Sequence, residues 1–298
     1  MLLKTTKIFI PTLFSFHETL SFLDRGFDEC LYNLTPNSVS KLINLSDGNG
    51  IITVKEKGEY LQIDLEKENI SKTNLEEVVF YVKDWFDLDR NLSPFYTLLN
   101  KNEKLAFLAD RYNGSRIIAI PNLFEALCWA IIGQQINLHF AYKLKRLLVE
   151  KYGKKTTHNS SIYYLFPSPA ELVKAKREDL VKMKFSRQKI DYLMNISRAF
   201  LDGEISKVKI AKLSTKQEQL KKLTAVKGIG IWTANYVLMK AMKNMNCITY
   251  GDSGLNKAIH TIFSTDKKPS NAEIDAVFKH FTNWESYLNF YLWKSLST

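Results

Sequence analysis

From Pro121 onward the sequence marks helix starts and stops in close succession, and this punctuation constrains the fold more than any other feature. Pro121-Asn122 opens an apolar-faced helix through Phe124, Leu127, Cys128 and Ile131, with Gly133 near its end. A second helix is predicted from about Leu138 to Tyr152, and the polar stretch Gly153 to Ser161 reads as a loop. Ser168-Pro169-Ala170-Glu171 joins a capping box to a proline at the first helical position. Gly203 ends the next helix, Ser214 with Gln217 and Ser270 with Glu273 cap two more, and an aromatic helix runs from about Trp284 to Leu296. The second half is therefore expected to be all-helical with short connections.

The first 85 or so residues follow another rule. Short apolar runs, Lys7 to Phe16 and Ile51 to Val54, are separated by the turn signal Ser46-Asp47-Gly48-Asn49-Gly50. Leu61, Ile63 and Leu65 alternate with polar residues, the period of a strand with one buried face. Helical periodicity begins near Lys83 to Asp89. The expected fold class is α+β: a small antiparallel-sheet domain over residues 1–88, then a helical domain over residues 89–298.

Charge narrows the partners. Lys and Arg number 42 against 31 Asp and Glu, a formal net charge of +11 that favours polyanions by counterion release, with an anionic membrane surface as the rival to nucleic acid. Cys30, Cys128 and Cys247 stand far apart, so no disulfide framework or iron-sulfur cluster is expected, and a reducing compartment fits. Pro11 breaks the apolar start and no small-residue cleavage site follows, so no signal peptide is read. No apolar run approaches the roughly 18 residues that span a bilayer.

Val226-Lys227-Gly228-Ile229-Gly230 lies between two predicted helices. Its glycines permit positive φ and close backbone approach, and the following helix start points free amides outward, an arrangement that suits a DNA phosphate. Alone, such a turn is an ordinary helix-helix connection. After the second helix, Ile231-Trp232-Thr233-Ala234-Asn235-Tyr236-Val237, comes the extended stretch Cys247 to Tyr250 and then Gly251-Asp252-Ser253. The segment Leu223 to Tyr236 with Asp252 downstream resembles the helix-hairpin-helix DNA glycosylase superfamily, specifically DNA-3-methyladenine glycosylase II. Phe124-Glu125-Ala126-Leu127 leading to Ile131-Ile132-Gly133-Gln134-Gln135, Phe166-Pro167-Ser168-Pro169 and Trp284-x-x-Tyr287 running to Trp293 agree with it. Phe86-Asp87-Leu88-Asp89 and Phe22-Leu23 extend a fainter match into the first half.

The resemblance implies base excision on double-stranded DNA carrying alkylated purines such as 3-methyladenine, by a monomer acting in the cytoplasm. Asp252 falls at the family's catalytic carboxylate; by itself it reads as the N-cap of the helix through Leu255 and Ile259, and both roles can coexist. Bifunctional relatives carry a lysine where this chain has Trp232, so the resemblance implies hydrolysis without strand cleavage. It also implies a base pocket of Trp232, Tyr236, Trp293 and Phe22, whose rings would stack on a cationic base, although aromatics at helical spacing are usually core. DNA contacts are implied at Val226, Lys227, Gly228, Ile229, Gly230 and Thr233, with Gln135 as the wedge that fills the hole left by the flipped base. No cofactor is required; the carbonyls of Thr224, Val226 and Gly228 resemble those that hold Na+ or K+. The alternatives are a non-catalytic helix-hairpin-helix DNA-binding protein and a glycosylase/lyase for oxidised bases.

Overall fold

The computed structural model describes residues 1–265 and 267–296. The first part holds β1 (Leu2–Phe9), α1 (Phe16–Leu23), β2 (Asn33–Thr35), β3 (Ser38–Leu45), β4 (Gly48–Lys57), β5 (Tyr60–Lys67) and α2 (Lys72–Trp85). The strands form one antiparallel sheet in the order β1-β5-β4-β3-β2. Leu61, Ile63 and Leu65 of β5 are fully buried, as their alternation predicts, and pack with Val78 and Val82 of α2. Helix starts earlier than Lys83 because Ser71 and Asn74 cap each other at the head of α2.

The second part holds α3 (Ser93–Asn100), α4 (Phe107–Arg111), α5 (Leu123–Gly133), α6 (Leu138–Tyr152), β6 (Lys155–His158), β7 (Ser161–Tyr164), α7 (Pro169–Leu172), α8 (Arg177–Lys182) and α9 (Arg187–Leu201). It continues with α10 (Lys207–Ala211), α11 (Lys216–Thr224), α12 (Ile231–Lys240), α13 (Ser253–Phe263), α14 (Asn271–Phe278) and α15 (Glu285–Lys294). Asn122, Ser168 and Ser270 cap their helices as the sequence predicts. Two expectations are corrected. The stretch from Gly153 is not all loop, because Lys155–His158 pairs with Ser161–Tyr164 in a hairpin whose Tyr163 and Leu165 pack on Leu42 and Ile51 of the sheet. The cap of α11 is Thr215 with Glu218, one residue beyond Ser214 and Gln217.

The two parts meet in a buried junction. Arg116, 1% exposed, donates to the carbonyls of Thr12, Leu13, Asp87 and Arg90 at 2.6–3.1 Å, so one guanidinium ties the strand-helix connection to the start of the helical region. Asp87 in turn takes the Tyr287 hydroxyl at 2.8 Å and Arg90 at 2.6 Å. This locks α15 against both parts, and Phe22 at the end of α1 packs into both hydrophobic clusters. No described helix is long and apolar enough to cross a membrane.

Candidate active site

Asp252 is delivered by a short extended segment stitched to α15. The Cys247 amide donates to Ser286 Oγ, and the amide and hydroxyl of Thr249 both donate to Asn289 Oδ1 at 3.0 and 2.9 Å. Gly251 then turns the chain at φ +80°, and Asp252 caps α13 by accepting the Leu255 amide on Oδ1 at 2.8 Å. Trp293 Nε1 donates to the same Oδ1 at 2.8 Å, while no described residue donates to Oδ2. The carboxylate is thus fixed through one oxygen, and it is half-buried. A Cβ at position 254 would stand 3.1 Å from Asp252 Oδ1 and 3.2 Å from the Trp293 ring. Gly254 is therefore what lets the indole close on the carboxylate, a role sequence reading missed; its one signal was a glycine in the first turn of a helix, where it costs about 1 kcal/mol against alanine.

The aromatic residues named from the sequence come together beside this carboxylate. Trp232 and Tyr236, one turn apart on α12, stack with centroids 5.4 Å apart and 16° between planes, and Tyr236 lies 6.1 Å from Trp293. All three remain half-buried, unlike Phe95, Tyr287 and Tyr291 in the core, so each keeps part of its ring accessible beside Asp252. Phe22 has other neighbours. Its ring packs 5.1 Å from Phe290, with the Arg25 guanidinium 4.4 Å and the Lys240 ammonium 5.3 Å from its centroid, so its faces are already engaged by cations.

Sequence reading also missed the far wall. Phe27 stacks on Tyr142 at 4.8 Å and 9°, Trp129 lies 4.7 Å from Tyr142, and Arg25 donates to the Tyr142 hydroxyl at 3.3 Å. Tyr236 joins the two walls: burial and Tyr142 push its phenol above the ordinary range, with Trp129, Arg25 and Asp252 close enough to act on it as well. Lys240, two turns beyond Trp232 on α12, donates to the Ile118 carbonyl, and burial assisted by Arg25 pulls its ammonium down to about 7.

The hairpin lies on the adjoining surface. Val226 and Ile229 point their side chains into the core, while Lys227 and Gly230 are exposed, so the segment offers backbone and one ammonium outward. Gly228 sits at φ +110°, and a Cβ there would fall 2.5 Å from the ring of Tyr192. Tyr192 on α9 therefore buttresses the turn, while Asn195 reaches the Lys227 carbonyl at 3.4 Å. No side chain caps α12, whose first amides stay open. A groove of about 450 Å³ joins Gly228, Ile229 and Gly230 to Gln134 and Gln135. Gln135 is exposed and holds φ +56°, a conformation that non-glycine residues adopt at some cost. The side chain of Thr233 is 1% exposed and its hydroxyl accepts the Gln134 amide at 3.1 Å, so it braces the loop carrying Gln135, and what Thr233 can offer DNA is its backbone amide in the open first turn of α12.

This geometry has known counterparts. Residues 128–283 match the family model of the HhH-GPD superfamily base excision DNA repair proteins, and residues 27–127 match the 8-oxoguanine DNA glycosylase N-terminal domain. A DNA-3-methyladenine glycosylase of Bacillus subtilis (strain 168) is 35% identical over 292 residues, covering 97% of this chain and 96% of its own. Among solved structures, a 3-methyladenine DNA-glycosylase from Archaeoglobus fulgidus superposes with a TM-score of 0.84 at 23% identity, covering 97% of both chains. A Clostridium acetobutylicum 8-oxoguanine glycosylase/lyase in complex with double-stranded DNA gives 0.68 at 20% identity, covering 90% of this chain and 97% of that one.

Proposed function

Because this chain belongs to the HhH-GPD superfamily of base excision DNA repair proteins, we propose that it is a monofunctional glycosylase that flips alkylated purines out of duplex DNA and hydrolyses their N-glycosidic bond. The observation that carries this reading is Asp252: a half-buried carboxylate fixed through Oδ1 by an amide and an indole, its Oδ2 without a donor among the described residues, beside the half-buried rings of Trp232, Tyr236 and Trp293.

As the bond between C1′ and the base lengthens, positive charge develops on the sugar, and the fixed carboxylate stabilises it and aims a water. An N-alkylated purine leaves as a neutral ring, so no strong general acid is needed. The exposed hairpin amides and Lys227 hold the phosphate, and Gln135 fills the gap in the duplex. The carbonyls of Thr224, Val226 and Gly228 would hold Na+ or K+ beside that phosphate; three neutral oxygen donors suit a monovalent ion, whose positive charge would help anchor the backbone. The protein is proposed to work as a monomer, and the chemistry assigned to Asp252 calls on no cofactor.

Against the lyase alternative stand Trp232 at the position of the relatives' lysine and the Lys240 amine, buried two turns away and bonded to a carbonyl. The deciding experiment measures free base released from duplex DNA containing 3-methyladenine. Wild type is expected to release it, and Asp252→Asn to do so about 100- to 1000-fold more slowly with duplex binding retained, since asparagine keeps the cap. Binding without release by wild type leaves only the DNA-binding alternative. A borohydride-trapped adduct at any lysine overturns the monofunctional assignment.

A further inference from the structure

The charge in the cleft that this chemistry leaves idle is Arg25. Its guanidinium lies over Phe22 at 4.4 Å and Phe27 at 5.4 Å and donates to the Tyr142 hydroxyl at 3.3 Å, yet it makes no ion pair among the described residues. It is half-buried, and two cations lie within reach of its charge: burial lowers both Lys240 and Lys294, the latter paired with Glu18 at 2.7 Å, and Arg25 adds to the lowering of each. An unpaired cation among aromatic rings is costly unless something anionic comes to it.

Its position is imposed. Gly26 follows at φ +68°, Phe27 stacks on Tyr142, Arg146 holds Asp28 at 2.6 Å, and Glu29 takes Lys145 together with the amides of Cys30 and Leu31 at 2.8 and 2.9 Å. The loop is clamped to α6 at Phe27, Asp28 and Glu29, so the guanidinium is preorganised. The cleft is therefore polarised, with Asp252 at the Trp293 end and Arg25 at the Tyr142 end, and Tyr236 between them.

Resting on the glycosylase reading above, we infer that Arg25 is a specificity-determining residue, whose guanidinium stabilises the electron pair left on the purine as a neutral lesion departs and so extends excision to uncharged lesions such as hypoxanthine. The bookkeeping of the step differs between lesion classes. When the C1′–N9 bond of a 7-methylguanine nucleotide breaks, both electrons go to the ring and cancel its positive charge. When that of a hypoxanthine nucleotide breaks, the same pair makes the ring an anion, which later takes a proton from solvent. In both cases the water oxygen bonds to C1′, and its proton passes to solvent by way of Asp252. Negative charge thus develops at the base only for the neutral lesion, and a fixed cation there favours that transition state over its ground state. For the cationic lesion the same guanidinium adds repulsion before bond breaking and no gain during it.

The test is the ratio of kcat/KM for hypoxanthine to that for 7-methylguanine, each in the same duplex. Arg25→Gln, which keeps donors for Tyr142 but loses the charge, is expected to lower the ratio about tenfold or more, and Arg25→Lys to hold it within about threefold of wild type. An unchanged ratio in Arg25→Gln overturns the inference, as does a collapsed ratio in Arg25→Lys. Should Arg25→Gln fail to fold, the lysine variant still decides, since a purely structural role of the guanidinium would not preserve selectivity through a bare ammonium. Release of neither base by wild type would instead overturn the glycosylase reading itself, an outcome separate from a change in ratio.

Discussion

Two lysines at the back of the cleft occupy nearly the same surroundings and meet opposite fates. Lys145 and Lys240 are each 5% exposed, and each holds its ammonium over two aromatic rings. For Lys145 these are Trp129 at 4.9 Å and Tyr142 at 4.8 Å; for Lys240 they are Phe22 at 5.3 Å and Phe290 at 5.9 Å. Burial works against both charges. At Lys145 the neighbouring Glu29 carboxylate outweighs it and the ammonium is held above its ordinary range, whereas Lys240 has the Ile118 carbonyl and falls to about 7. Aromatic faces alone, at about 0.5 to 2 kcal/mol each, do not offset the loss of hydration; a carboxylate does. The first lysine fastens a loop, and the second, with no carboxylate partner among the described residues, gives up its charge as pH rises through about 7.

Removing the carboxylate is the strongest way to break this contrast. Glu29→Gln strands a buried ammonium and weakens the clamp on the Arg25 loop, and is expected to destabilise the protein by about 3–5 kcal/mol at pH 7, measured by urea unfolding. A cost under about 1 kcal/mol would mean the pair is idle. Lys240→Met should act with the opposite sign. Because the amine's folded-state value of about 7 lies below its ordinary 10.5, its burial penalty is complete below pH 7 and shrinks as pH rises toward 10.5. The variant is expected to gain about 2 kcal/mol over wild type at pH 6.5, with a clearly smaller gain at pH 9.5. A gain that does not vary with pH would show that Lys240 is not desolvated as described.

The legibility of these features in the sequence follows from how local they are. Ser168-Pro169-Ala170-Glu171 and the alternation of Leu61, Ile63 and Leu65 announce their structures because cause and effect lie within a few residues. The same locality misled at Ser214: Gln217 and Glu218 are both in register with a hydroxyl, and the charged acceptor prevails, which selects Thr215. The strand Lys155–His158 gave no apolar alternation because its support comes from the distant sheet through its partner, not from its own residues. At the site, the hairpin and Asp252 were legible within one stretch, but the far wall was not. Arg25 meets Tyr142 across 117 positions, and Lys145 meets Glu29 across 116, pairings that no spacing encodes.

The smallest expected effect tests whether the clamp is symmetric. Glu29 has three partners: Oε2 meets the Lys145 ammonium, and Oε1 accepts the amides of Cys30 and Leu31. Lys145 has one charged partner. Lys145→Met should therefore cost less than Glu29→Gln, about 1–2 kcal/mol at pH 7, because the carboxylate left behind keeps its two backbone donors. The pH dependence follows from Glu29, whose folded-state value lies below its ordinary 4.5, burial being overcome by Lys145 and the Leu31 amide. That contribution is present above pH 4.5 and disappears as pH falls through the folded-state value, so the gap between wild type and Lys145→Met should be widest near neutrality and close in acid. If instead Lys145→Met costs as much as Glu29→Gln, the backbone amides add nothing, and the loop that carries Arg25 is held by the ion pair alone.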